Sequence, residues 1–237
     1  MARKPRFNVP GVPQHIIQRG NNREPCFFTE VDYRCYLDVL HEMAKRNQCH
    51  VHAYVLMTNH VHLLVTPFVE YSISHLMQDL GRKYVRYINH SNKRSGTLWE
   101  GRFKASLVDS DAYLLTCMRY SEMNPVRANM VNHPGEYNRS SYHANAQGKP
   151  DTAITPHPLY EPLGSTMAEK QYAYRELFRY HLDQTTLHDI REALNQELVL
   201  GRGDFKERIE QMTQRQTRPG LSGRPRVEED FAHYCVY

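Results

Sequence analysis

The stretch that decides the fold runs from Cys49 to Thr66. It reads CHVHAYVLM over 49–57, Thr58-Asn59, then HVHLLVT over 60–66. Two β-rich runs around a two-residue polar turn predict a hairpin. In a strand, residues i and i+2 share a face, so each His-Val-His triplet sets two imidazoles side by side. With Thr58-Asn59 as the turn, Met57 falls opposite His60, Val55 opposite His62 and His52 opposite Val65. Paired residues share a face. This register puts His60 and His62 with Val55 and Met57, and His50 and His52 on the other face. A four-histidine site is disfavoured, and one pair suffices for function. Ordinary strand histidines are the competing reading of either pair.

Outward from the hairpin, Val12–Gln18 reads as a first strand that runs into a basic turn, Arg19-Gly20-Asn21-Asn22-Arg23. Thr29 and Asp32 have capping-box spacing, and Tyr33, Tyr36, Leu37, Leu40, Met43 and Ala44 follow at helical period. After Pro67, Ser72 can cap a second helix to about His90, with Ile73, Leu76, Met77, Leu80, Tyr84, Tyr87 and Ile88 apolar. Phe103–Val108 predicts another strand. Asp109 or Ser110 starts a third helix that should stop at Asn124, before Pro125. The order β-α-β-β-α-β-α implies an α+β fold: a ferredoxin-like antiparallel sheet with helices packed on one face. A C-terminal helical extension follows. We expect a main domain over 1–145, a Pro- and Asn-rich linker over 146–166, and an extension over 167–237. The extension would hold helices near 167–182, 186–199 and 204–215 and a flexible basic run, Arg218–Arg226.

The 237 residues carry 30 Lys and Arg against 26 Asp and Glu, a net charge of +4. The total hides a division: residues 1–150 hold 19 cations and 12 anions, residues 151–237 hold 11 and 14. A basic first part favours a polyanionic partner. Mean hydropathy is −0.69; without an apolar run of about 18 residues, a membrane span is excluded. No apolar core follows the basic start Met1–Arg6, so a cytoplasmic location is expected. The five cysteines, Cys26, Cys35, Cys49, Cys117 and Cys235, form no C-x-x-C pair, which argues against disulfide scaffolds and thiolate zinc. Two neutral imidazoles plus one oxygen ligand can hold a divalent ion and leave positions open for substrate.

The stretch from Tyr54 to Val65 resembles the HUH motif (histidine, bulky apolar, histidine) of single-tyrosine transposases, IS200-like. Within them it is most similar to the REP-associated tyrosine transposases. Segments His15–Asn22, Leu98–Phe103 and Met118–Arg127 support the resemblance, which spans roughly residues 8–145. It implies a helical tyrosine nucleophile well downstream of the histidines. Tyr120 fits; Tyr113, seven residues earlier, is the decoy among 16 tyrosines. Asn124 lies four residues after Tyr120, on one helix face, and the resemblance makes its amide the third metal ligand beside His60 and His62. Asn124 can equally serve to end the helix. Glu122 points elsewhere and ranks below it.

The resemblance implies Mg²⁺, or Mn²⁺, and a 5′-phosphotyrosine intermediate in cleavage and rejoining of single-stranded DNA beside hairpin, REP-like repeats. It favours a monomer over a homodimer. No general base is evident. Arg19, Arg23, Arg82, Lys83, Arg86, Arg102, Lys104 and Arg127 are the candidate DNA contacts. Tyr84 and Tyr87, among the second helix's cations, either stack bases or pack in the core. Two other readings stand beside this one. One is a hairpin-DNA-binding regulator without catalysis. The other is a zinc hydrolase, which lacks an H-E-x-x-H signature.

Overall fold

The computed structural model describes residues 5–220. Met1–Lys4, most of the expected Arg218–Arg226 run and Cys235 lie outside the described residues. In chain order the elements are β1 (Gln14–Arg19), α1 (Glu30–Arg46), β2 (Cys49–Met57), β3 (His60–Pro67), α2 (Ser72–Ser91), β4 (Lys104–Val108) and α3 (Ser110–Glu122). They continue as α4 (Asn124–Arg127), α5 (Tyr142–Gln147), α6 (Met167–Glu176), α7 (Gln184–Gln196), β5 (Val199–Leu200) and α8 (Gly203–Thr213). Short 3-10 turns cover Asn21–Arg23, Pro134–Glu136 and Pro158–Leu163.

The strand order is β2-β3-β1-β4-β5. The first four strands pair antiparallel, the arrangement expected of a ferredoxin-like sheet, and β5 adds a parallel pairing of Val199 and Leu200 with Leu107 and Val108. The hairpin turn is where the sequence put it: Met57 pairs with His60 and Val55 with His62. Farther from the turn the register shifts, because a β-bulge falls between Val51 and Ala53. Val51, not His52, opposes Val65. A one-residue shift moves a side chain to the opposite face. His52 therefore reaches Thr66 Oγ1 at 2.8 Å, on the same face as His62, rather than the far face that an unbroken ladder predicts. Thr66 is four residues past His62, about 13 Å along the strand, so the two pairs still form separate sites.

Helices cover both faces, not one. On the first face, Ile16, Val61, Leu63 and Val65 pack with the apolar sides of α1 and α2. Asp32 ties that layer together. Its Oδ2 accepts from the Thr29 amide at 2.7 Å, closing the start of α1, and its Oδ1 accepts from Tyr87 Oη at 2.9 Å on α2. The fully buried Tyr84 donates its hydroxyl to the Cys26 carbonyl at 2.8 Å. Both tyrosines are thus taken up by packing. On the second face, Ile17, Ala53 and Leu64 meet Leu114, Cys117 and Met118 of α3, Tyr142 of α5, Tyr160, Tyr174 of α6, and Leu187, Ile190 and Leu194 of α7.

The C-terminal helices are present and belong to this same core. The segment 146–166, expected as a linker, is packed: Tyr160 is buried, and the Thr155 amide donates to Val51 O at 2.8 Å on the outer edge of β2. Farther on, helix 186–199 of the sequence reading ends at Gln196, because Glu197 turns into the left-handed region (φ 54°) and Val199 joins the sheet. The 167–182 helix likewise ends early, at Glu176.

One buried carboxylate links α3 to the later helices. Glu122 Oε1 accepts from Ser141 Oγ at 2.6 Å and Asn145 Nδ2 at 2.9 Å, and Oε2 from Tyr174 Oη at 2.9 Å. Burial is the main cause that pushes its carboxyl up to about 7.

Candidate active site

Three elements bring the site together. In β1, residues 15, 17 and 19 share the face that carries His60 and His62 of β3; Ile17 pairs with His62, and Arg19 with His60. Across from them run the end of α3 and the start of α4. Pro125 supplies no amide hydrogen, so the helix cannot continue unbroken through it. α3 stops at Glu122, two residues before the expected Asn124, and α4 restarts at Asn124. The Tyr120 carbonyl accepts a hydrogen bond from Arg127 Nη2 at 2.6 Å. The break leaves Tyr120 and Asn124 facing the histidines. They share a cavity of about 330 Å³ with His60, His62, Arg19 and Arg127.

The imidazole tautomers follow from their neighbours. Asn59 donates its Nδ2 to the Arg23 carbonyl at 2.9 Å, which leaves its Oδ1 facing His60 Nδ1 at 2.7 Å. His60 Nδ1 must then carry the proton. Its Nε2 is left with a lone pair directed at the Asn124 amide, 3.4 Å away. His62 Nδ1 lies 3.0 Å from His15 Nε2. When His62 is the donor there, its own Nε2 is also a free lone pair. Burial holds all three rings neutral: His60 falls to about 4, with Arg19 assisting, His15 to about 3, and His62 well below its ordinary value. The His60 and His62 ring centroids are 5.3 Å apart.

Tyr120 is nearly buried and stands edge-on to His62 and His15, with centroid separations of 5.8 and 5.6 Å. The Arg127 guanidinium lies 4.2 Å over its ring. Tyr113, on the same helix, opens instead into a small separate cavity beside Asp189 and Leu200.

Two neutral imidazoles with inward lone pairs and one carboxamide suit a divalent ion, and the residues fit the group that the resemblance implies. Among the described residues, no three His, Cys, Asp or Glu side chains gather into a metal site. Asn124 lies at the side of this pair, within 3.4 Å of His60 Nε2, and Glu122 is committed to its own hydrogen bonds.

The expected cations divide by place. Arg19 and Arg127 line the cavity that holds Tyr120, and Arg19, Arg102 and Lys104 line an adjoining one of about 300 Å³. Arg23 lies in the turn that Asn59 fastens. Arg82, Lys83 and Arg86 sit on α2, across the sheet from the site, where Lys83 pairs with Glu42 at 2.6 Å. Three participants escaped the sequence reading. The sequence alone assigns His15 and Asn59 no such place, because only the β1–β3 register and the turn geometry reveal it. Arg191 of α7 also lines the cavity; its position depends on tertiary packing.

Residues 8–124 match the family model described as Transposase IS200 like. That segment is similar to IS200-like transposases. The known structure of a REP-associated tyrosine transposase bound to a REP hairpin shares the fold: TM-score 0.54, 16% identity, with 66% of this chain and 93% of that one covered. A candidate transposase from Deinococcus radiodurans matches at 18% identity over 55% of this chain and 91% of that one, with TM-score 0.36. No curated protein matches the chain. Among the described residues of this transposase-like chain, no helix is long and apolar enough to cross a membrane.

Proposed function

We propose that this chain is a metal-dependent single-stranded DNA endonuclease and strand transferase that acts beside hairpin, REP-like repeats. The observation that carries the reading is the meeting of His60, His62, Tyr120 and Asn124 in one cavity rimmed by arginines. In the reaction, the Tyr120 oxygen attacks the scissile phosphorus and loses its proton. The P–O3′ bond breaks, and the product is a 5′-phosphotyrosine with a free 3′-OH. Attack of a 3′-OH on the phosphotyrosine reverses the step and rejoins strands. Mg²⁺ or Mn²⁺ held by His60, His62 and Asn124 would polarise the phosphate and stabilise the departing 3′ oxygen.

The protein's own residues prepare this chemistry. Asn59 fixes the His60 tautomer, and His15 partners His62 Nδ1. Arg127, beside the Tyr120 ring, faces the negative charge that develops as the phenol attacks. Arg19 and Arg127 bind phosphate. The fold match to a hairpin-bound transposase supports the DNA class.

The test is incubation with a labelled hairpin oligonucleotide and Mg²⁺ or Mn²⁺. Wild type should yield a covalent protein–DNA band, and Tyr120→Phe should bind the hairpin without forming one. Adduct formation by Tyr120→Phe would sink the assignment. Binding by wild type without cleavage at any hairpin would favour the regulator reading.

A further inference from the structure

The IS200-like match stops at residue 124, yet one wall of the catalytic cavity is built by α7, more than 60 residues beyond it. Leu187, Ile190, Ala193 and Leu194 anchor that helix in the core of the second sheet face, and β5 follows it into the sheet. Its Arg191 and Asn195 face the cavity that holds Tyr120. Asn195 also lines the adjoining cavity, where Arg19, Arg102 and Lys104 outnumber the two carboxylates Glu100 and Glu197, and its carbonyl accepts from Lys104 Nζ at 3.3 Å. The two cavities share Ile17, Arg19 and Asn195, so they form one groove.

The charge in this groove is one-sided at the catalytic end. Arg19, Arg127 and Arg191 line that cavity, and no Asp or Glu does. Among the described residues, none of the three is in an ion pair with a carboxylate. Arg127 is itself largely buried, and besides burial the Arg191 charge lowers its proton affinity. Like charges held together without a counter-ion call for an anionic ligand.

We propose that α7 is a DNA-binding wall of the active site, in which Arg191 takes a backbone phosphate of the single strand that threads from Tyr120 past Asn195 toward Arg102 and Lys104. The proposal deepens the functional reading above and rests on it. It gives the acidic C-terminal part a direct role in substrate binding, contrary to what its net charge suggests.

The full chain carrying Tyr120→Phe, which cannot cleave, is the parent for the test. Its affinity is measured by fluorescence anisotropy, over a range of salt, for a hairpin alone and for the hairpin with a single-stranded 5′ extension. Adding Arg191→Ala should weaken binding of the extended oligonucleotide about tenfold and lower its salt slope by about 0.7, the value for one phosphate contact on a single strand. Affinity for the bare hairpin should not change. Arg191→Lys should recover most of the loss and Arg191→Glu should deepen it. Unchanged affinity and slope in Arg191→Ala and Arg191→Glu, with a parent that binds, would overturn this proposal alone. A parent that binds neither oligonucleotide would overturn the functional reading and this proposal with it.

Discussion

The two His-Val-His triplets are the same three residues ten positions apart, and the fold gives them different chemistry. In the first, His52 spends both ring nitrogens: Nδ1 lies 2.7 Å from the Thr155 carbonyl and Nε2 2.8 Å from Thr66 Oγ1. A ring so bonded closes the sheet edge and has no lone pair to offer. In the second, each ring spends one nitrogen on a neighbour, Asn59 or His15, and keeps the other for the cavity. A histidine becomes a ligand through what its neighbours leave unpaired. The motif alone does not decide it.

This contrast can be broken or sharpened by substitution. The largest effect is expected at the second pair: His60→Ala or His62→Ala should lower DNA cleavage by about a thousandfold, about 4 kcal/mol of transition-state stabilisation. Rates from a denaturing gel would check it. Glu122→Ala comes next. It leaves the Ser141, Asn145 and Tyr174 donors without their acceptor, and about 3 kcal/mol of stability should be lost in denaturant titration. Glu122→Gln should lose less. At the first pair, His52→Ala should cost about 2 kcal/mol of stability through unpaired Thr66 and Thr155 groups, while cleavage per folded molecule stays at the wild-type rate. A cleavage defect there as large as at His60 would erase the contrast. Asn59→Ala should reduce Mn²⁺ affinity about tenfold by calorimetry, because the His60 tautomer is no longer fixed.

One further effect is common to both pairs. Burial lowers His52 and His60 to about 4 and His15 to about 3, from 6.5 in the unfolded chain. Acid protonates these rings in the unfolded state first. Stability should be full above about pH 6.5 and decline as pH falls toward 4. Melting temperatures at pH 7 and pH 5 measure it, and a flat profile would contradict buried neutral rings.

Much of this was legible in the sequence, because it depends on local rules. The Thr58-Asn59 turn, the pairing of Val55 with His62, the start of α1 at Thr29 and the reach of α2 all follow from turn chemistry, strand period and capping. The i+4 relation of Tyr120 and Asn124 survives even though Pro125 divides the helix, and both residues line one cavity. The bulge at His52 was not legible: no Gly marks it, and it is fixed by contacts with Thr66 and Thr155. The role of His15 depends on the β1–β3 register, and that of Arg191 on packing across more than 60 residues. The α2 cations Arg82, Lys83 and Arg86 share a pattern with Arg19 and Arg127, but the sheet separates them from the site.

The central claim is that Tyr120 forms the covalent link to DNA. Trypsin digestion of the trapped protein–DNA adduct, followed by mass spectrometry, tests it most directly. The nucleotide mass should fall on the peptide Tyr120–Arg127. A nucleotide on Ala105–Arg119, which carries the decoy Tyr113, or on any other peptide would contradict the account.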